Sequence, residues 1–296
     1  MPEQLRTEDF NYQLPEELIA SRPTEKRDGS RMMVIDRTTG SISCHMFDEF
    51  LDFIKDDDLC IFNNTKVVKS RFISDDQKIE ITRLDETEPN VWKCLVKPGK
   101  KMRLGHSIII DGIKGVVENI LEDGERLIRF EDPIDIEKKG KLALPHYMGR
   151  EAEDYDSDRY QTVYAQKPGA IAAPTAGLHF TETHLLKIPH TFITLHVGVG
   201  TFRPVKADLI SDHDMHSESY EVSKLAADKI NTAVRKISIG TTVTRVLEHV
   251  SQNANGTIES GAGETNIFAR PNRSTRSSFG INPENEIKSF KDCLFT

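Results

Sequence analysis

The sequence predicts a mixed α/β (α+β) body with an inserted small all-β barrel. Three patterns carry that expectation. Residues 71–145 hold short alternating runs divided by turn residues. Residues 1–70 and 146–268 mix short apolar runs with segments of helical spacing. The stretch from Pro168 to Tyr220 sets two glycine-bearing turns and several histidines between apolar runs. The expected body is therefore discontinuous, 1–70 with 146–268. It surrounds a barrel at 71–145 and precedes an atypical, poorly ordered tail at 269–296.

Taken in order, Pro15–Ala20 reads as a short helix with Pro at a favoured first position. Met32–Asp36, the turn Arg37-Thr38-Thr39-Gly40 and the return Ser41–Ser43 predict a hairpin. Phe47–Leu59 has helical spacing, and Cys60–Phe62 is a buried strand ending at Asn63-Asn64-Thr65. In the insert, Ile79–Leu84, Val91–Val96, Ser107–Ile110, Gly115–Glu118 and Arg126–Phe130 alternate. Lys97-Pro98-Gly99-Lys100, Asp111-Gly112 and Asp123-Gly124 are the turns between them, a spacing that suits a barrel or sandwich. Further on, Thr191–Val197 reads as a strand and Ser223–Lys236 as a helix, on the spacing of Leu225, Ala226, Ile230 and Val234. Ile237–Thr242 reads as a strand entering a turn, and Val243–Val250 as a second helix. The tail is rich in Arg, Ser and Asn without periodicity and reads as loop or disorder.

At 296 residues the chain is long enough for a sizeable core. No run of about 18 apolar residues suggests a membrane span, and the acidic N-terminus has no apolar signal core. Cys44, Cys60, Cys94 and Cys293 are scattered. That fits a reducing cytosol and argues against a zinc ribbon or a disulfide frame. A net charge of −8 counts against indiscriminate coating of nucleic acid, yet leaves room for a local basic strip that holds a folded RNA.

The chemistry-bearing residues concentrate in PGAIAAPTAGLHFT (Pro168–Thr181), TLHVGVGTFRPV (Thr194–Val205) and HDMHSESYEV (His213–Val222). Glycine lets backbone approach a ligand, and histidine exchanges protons near neutral pH. Thr175 and Gly177 form the first turn. Thr181 is placed to cap a helix beginning at Glu182, whose N-terminus would offer N–H groups to an anion. His179 lies on the way into that helix, and for it a capping or packing role weighs equally. His196 follows strand residues and has a core role as its plainer reading. Gly198 and Gly200 make a G-x-G ahead of Thr201 and Arg203, but the third glycine and following helix of a dinucleotide fingerprint are missing. His213 and His216 have an H-x-x-H spacing beside Asp214 and Glu218, and proton transfer or structure outranks metal there. Thr241 and Thr242 stand at the turn before the last helix, and Arg245 lies within that helix. Arg203 and Arg245 suit a carboxylate or phosphate, with a surface ion pair as the plainer alternative. Basic residues gather at Lys66, Lys69 and Arg71, and at Lys97, Lys100, Lys101 and Arg103. These are candidates for RNA phosphates, although a charge run is more often a solvated face.

Together these motifs, with YQTVYA (Tyr160–Ala165), GTTVTRVLE (Gly240–Glu248), Phe10–Gly40 and FNNTKVVKSRF (Phe62–Phe72), resemble the S-adenosylmethionine:tRNA ribosyltransferase-isomerases of queuosine biosynthesis. The resemblance runs from about residue 8 to 268. It implies a cytoplasmic transferase and isomerase that moves the ribosyl portion of S-adenosylmethionine onto a 7-aminomethyl-7-deazaguanine at a tRNA wobble position. Epoxyqueuosine-tRNA, adenine and methionine are the products. It implies no metal and no cofactor beyond the donor, no membrane partner, and a monomer. It needs a base beside the sulfonium and an acid at the departing adenine. His179, His196 and His216 are the candidates for these proton transfers.

The sequence departs from the family's pattern in places. Asn64 and Lys66 stand where Asp and Arg are expected, and Asn266 stands where Asp is usual. From Ala269 the family's closing segment gives way to unrelated sequence, as a frameshift or premature stop would give. The corresponding expectations are lost or reduced activity, or a truncated homologue that still binds S-adenosylmethionine or tRNA. A metal-dependent hydrolase using His213 and His216 is a further, weaker alternative.

Overall fold

A computed structural model describes residues 5–36, 38–202, 207–213, 215–254 and 256–267. The tail from Ala269, Arg203 and Asp214 lie outside the described residues. Two compact units make up the chain. One comprises residues 1–66, 146–150 and 158–296; the other comprises 67–145 and 151–157.

The first unit opens with the hairpin β1 (Arg31–Ile35) and β2 (Ile42–Met46), where the sequence places it. β3 (Asp58–Asn63) follows and is buried throughout, and β4 (Thr65–Val67) continues from it. In the second unit, β5 (Arg71–Ile73), β6 (Glu80–Glu88), β7 (Val91–Lys97), β8 (Ser107–Ile110), β9 (Ile113–Ile120) and β10 (Arg126–Phe130) form an antiparallel sheet in the order β5-β6-β7-β10-β9-β8. Its two ends approach each other. Asp75 N–H donates to Ile109 O at 2.9 Å, and the Asp75 carboxylate accepts from Asp111 N and Gly112 N at 2.9 and 2.8 Å. The sheet is thus barrel-like. Alternation explains it: Ile81, Trp92, Cys94, Ile108, Ile110, Val117, Ile128 and Phe130 all turn inward around Phe72 and Met102. The short helix α1 (Ile136–Lys139) follows, then α2 (Asp156–Arg159).

The first unit resumes with β11 (Lys167–Ala170), paired with β4, and α3 (Glu182–Lys187). β12 (His190–Leu195), β13 (Glu218–Val222), α4 (Lys224–Thr232), β14 (Arg235–Ser238), α5 (Thr241–Asn253) and β15 (Gly261–Thr265) complete it. The main sheet runs β14-β3-β12-β13-β15. β14, β3 and β12 are parallel; β13 is antiparallel to both β12 and β15. α5 buries Val243, Val246, Leu247 and Val250, one stripe at helical spacing, and packs on β3, β12 and β14. Phe47, Phe50, Phe62, Tyr164 and Phe180 join Met32 and Ile237 in one apolar cluster. Among the described residues no helix is long and apolar enough to cross a membrane.

Several elements differ from the sequence expectation. Pro15–Ala20 makes only a 3₁₀ turn at Glu16–Leu18. Phe47–Leu59 is not one helix: a 3₁₀ segment covers Phe47–Phe53, and Leu59 is already inside β3. Burying Phe47 and Phe50 needs two ring positions three apart, which one tight segment supplies. The helix expected to Lys236 stops at Thr232. Ala226, Ala227 and Ile230 are its buried face, while Leu225 and Val234 are 67% and 80% exposed. The strand expected over Ile237–Thr242 ends at Ser238, and Thr241 and Thr242 belong to α5.

Candidate active site

Parallel strands β3, β12 and β14 end on the same side of the sheet, and open α/β sheets place ligands beyond such ends. The residues that follow them here are Asn64-Thr65, His196–Gly198 and Gly240–Thr242. Asn63, the last residue of β3, ties these ends together. Its Nδ2 donates to Leu195 O at 2.9 Å and, more weakly, to Thr242 Oγ1 at 3.5 Å. Its Oδ1 accepts from Leu195 N and Thr65 N at 3.0 and 3.2 Å. Asn64, where the family's pattern led us to expect Asp, accepts the Thr194 hydroxyl at 2.7 Å.

His196 sits one residue past β12. Its Nδ1 lies 2.8 Å from the hydroxyl oxygen of Thr65, a fully buried residue, and its backbone N–H donates to Ser219 O at 3.0 Å. Burial holds the ring below the usual histidine pKa. Lys167 adds to that effect and Glu221 opposes it; these two form an ion pair at 2.5 Å. Gly169 lies against the same ring at φ +151°, where a Cβ would sit 2.7 Å from Nδ1. Glycine is therefore required both by conformation and by contact.

The two glycine-bearing turns are neighbours. Ile171 N–H donates to Val197 O at 2.8 Å, which lays the AIAA run beside the G-x-G loop. Thr175 and Gly177 form a 3₁₀ turn. A Cβ on Gly177 would lie 2.0 Å from the Tyr164 hydroxyl, so this glycine makes room for a packed tyrosine. Ala176 meets the opening of α5, its Cβ 3.2 Å from the Cβ position of Gly240. Gly198 N–H donates to Glu218 Oε1 at 2.9 Å, and a side chain at Gly200 would begin 3.0 Å from His216 Cδ2. The 3₁₀ turn Val199–Phe202 carries Thr201.

Arg245 is spent inside the protein. Its guanidinium pairs with Glu218 and donates to His216 O at 2.8 Å and to Thr265 O at 3.0 Å. Both side chains are buried, 12% and 6% exposed, so the surface-pair alternative is replaced by a buried one that fastens β13, β15 and α5. Burial pushes Arg245 below its usual pKa and Glu218 opposes this. His216 itself is exposed.

His179 is buried, its ring tilted against Phe47 at a centroid distance of 5.1 Å, and bonded to the Arg27 backbone; burial is the main force lowering its pKa. Arg27 in turn donates to Gln161 O at 2.7 Å and Leu178 O at 3.2 Å. Thr181 does cap α3: its Oγ1 accepts from His184 N, while His184 Nδ1 lies 2.7 Å from that oxygen and accepts from Thr181 N at 3.3 Å. That helix end is closed by its own side chains.

The basic residues divide. Lys69 is bonded to Glu137, and Arg71 to Glu80 at 2.7 Å and to Glu151. Lys66 is exposed. Lys97, Lys100, Lys101 and Arg103 are exposed around the 3₁₀ turn Gly99–Lys101, with no acidic partner among the described residues. Arg126 shapes that loop by donating to Gly99 O and Met102 O, both at 3.2 Å.

Sequence reasoning missed Asn63, Thr65, Gly169 and Arg27 as site-forming residues. Thr65 stands 131 positions from His196, and no local pattern couples them.

A sheet with these strand ends, two adjoining glycine turns and a half-buried histidine beside them defines an α/β small-molecule enzyme scaffold. The chain belongs to the queuosine biosynthesis protein family, whose model matches residues 7–279. It is 42% identical over 285 residues to an S-adenosylmethionine:tRNA ribosyltransferase-isomerase of Finegoldia magna, covering 90% of this chain and 82% of the relative. Its identity to the enzyme of the same name from Desulfitobacterium hafniense is 41% over 288 residues, covering 90% and 83%. A solved S-adenosylmethionine tRNA ribosyltransferase from Thermotoga maritima is 29% identical, covers 90% of this chain and 81% of that one, and superposes with a TM-score of 0.44.

Proposed function

We propose that this chain transfers and isomerises the ribosyl moiety of S-adenosylmethionine onto 7-aminomethyl-7-deazaguanine at a tRNA wobble position. Epoxyqueuosine-tRNA, adenine and methionine are the products. Identity above 40% to relatives bearing that activity as their name, over 90% of the chain, is the observation that carries this reading. The residues around His196 support it. A histidine whose pKa is lowered by burial is suited to take the acidic proton beside a sulfonium. Thr175, Gly198, Gly200, Thr201, Thr241 and Thr242 line up along the same strand ends and loops as candidates for holding the donor. His179 and His216 remain candidates for the second proton transfer.

In this reading the barrel unit is an inserted domain whose exposed cations at Lys97, Lys100, Lys101 and Arg103 meet tRNA phosphates. The enzyme works in the cytoplasm as a monomer, with no metal or cofactor beyond the donor. The test is direct. Purified protein is incubated with S-adenosylmethionine and tRNA bearing the aminomethyl deazaguanine; digested tRNA is assayed for epoxyqueuosine, and the supernatant for adenine and methionine. Equimolar formation of all three is expected. Release of adenine without a modified nucleoside would refute the transfer.

A further inference from the structure

We propose that Thr65 is the positioning residue that keeps the proton of neutral His196 on Nδ1, leaving Nε2 as the nitrogen that accepts a proton. The proposal rests on the reading above in which His196 transfers a proton, and it adds which nitrogen acts and what selects it.

The argument is one of hydrogen-bond accounting. Thr65 Oγ1 has two neighbours: His196 Nδ1 at 2.8 Å and Lys167 O at 3.5 Å. A hydroxyl has one hydrogen and accepts through its lone pairs. The Lys167 carbonyl can only accept, so the one arrangement that uses both contacts points the hydroxyl hydrogen at it. In that arrangement the oxygen lone pairs face Nδ1, and Nδ1 carries the hydrogen. The bond that one ring nitrogen makes fixes the state of the other.

Both ends of this bond are held. Asn63 accepts the Thr65 N–H at 3.2 Å and bonds both polar groups of Leu195, the residue before His196. Gly169 closes on the ring within what would be van der Waals contact of any side chain. The charged groups facing the ring are Lys167 from β11 and Glu221 from β13, and they neutralise each other as an ion pair. Thr65 is fully buried, so water does not compete for its hydroxyl. When Nε2 takes a proton from the carbon beside the sulfonium, the C–H electron pair stays on that carbon. The ring becomes an imidazolium with its Nδ1–H bond to Thr65 unchanged. No reorganisation is needed at Nδ1 during the step.

The experiment uses the full chain with ¹⁵N-labelled imidazoles and long-range ¹H–¹⁵N correlation at about pH 8, well above the usual histidine pKa. The expected His196 pattern is protonated Nδ1 with pyridine-type Nε2. Thr65→Ser keeps that pattern, while Thr65→Val, of nearly the same shape, shifts it toward protonated Nε2. An Nε2–H pattern in the unaltered protein overturns the proposal whatever the activity. Turnover supplies the second arm. Thr65→Val is expected to lower kcat at least about tenfold with KM for S-adenosylmethionine within about twofold, and Thr65→Ser to restore most of it. Unchanged kcat in a folded Thr65→Val protein overturns the positioning role. If the unaltered protein makes no epoxyqueuosine, the functional reading fails by itself, and the spectrum still decides the tautomer.

Discussion

The arginines of the sheet unit and the lysines of the barrel unit put the same charge to opposite uses. Arg245 gives its guanidinium to Glu218 and two carbonyls, and Arg27 gives its own to three carbonyls, of Asp158, Gln161 and Leu178. Lys97, Lys100 and Lys101 give theirs to solvent, although Arg126 beneath them is fully engaged. Cations already satisfied by the fold are architecture. Those held by a shaped loop and left exposed are available to a polyanion. Position in the sequence does not separate the two kinds, because Arg71 and Lys69 sit in a basic run and are nonetheless taken.

The largest effect follows from breaking the buried side of that contrast. Arg245→Met leaves the Glu218 carboxylate buried without its partner. It should cost about 3–5 kcal/mol in urea unfolding. Pairing it with Glu218→Gln should recover a good part of the loss, since the two act as one unit. A loss under about 1 kcal/mol would show that Arg245 is not the fastening assigned to it.

Next comes Gly169→Ala. The added methyl meets the His196 ring at 2.7–2.9 Å on a backbone at φ +151°, so either the ring or the strand must move. Misplacing a reacting group by about 1 Å can lower the rate on the order of a hundredfold. Turnover at saturating donor should fall by about that factor while circular dichroism stays unaltered. Wild-type turnover would separate His196 from the chemistry.

These variants touch residues of unequal legibility. The barrel strands were readable because one face is buried and side chains alternate, so Ile108 and Ile110 announce β8. α5 was readable from Val243, Val246, Leu247 and Val250. β15, GAGET, has almost no apolar signal, since its side chains are mostly exposed and its strand status comes from pairing with β13. α4 overran because Val234 matches the helical period but serves no core. The glycine turns and His196 stood out as a group. The partner that shapes His196 did not, because a threonine on a distant strand carries no mark of what it touches. Arg245 was visible as a cation near the site, and only its burial against Glu218 tells which use it has.

Acid should affect the sheet unit more than its surface charge suggests. His179, His184, His196 and His249 are all held below the ordinary histidine pKa, chiefly by burial. The unfolded chain, with pKa values of about 6.5, therefore binds more protons than the folded one as pH falls. The stability contributed by keeping these rings neutral is fully present above about pH 6.5 and is lost below it. Unfolding free energy should decline on the order of 1 kcal/mol per pH unit between about pH 6.5 and 5. Equal urea midpoints at pH 7.5 and 5.5 would contradict the burial account.

The smallest effect on the fold should come from the exposed loop, and there the contrast becomes sharpest. Lys100→Glu with Lys101→Glu removes two solvated cations beside the buried anchor Met102. Surface changes of this kind usually stay within about 0.5 kcal/mol, so the unfolding curve should not move. Binding to tRNA should weaken, and the slope of log affinity against log salt should flatten by about one for each phosphate that the loop no longer neutralises. Arg71→Gln is the control from the same basic run. It removes the partner of Glu80 and Glu151, so it should lower stability while leaving the salt slope as it was. If the lysine pair leaves the slope unchanged and Arg71→Gln flattens it, the division between charge spent on the fold and charge offered to RNA has been drawn through the wrong residues.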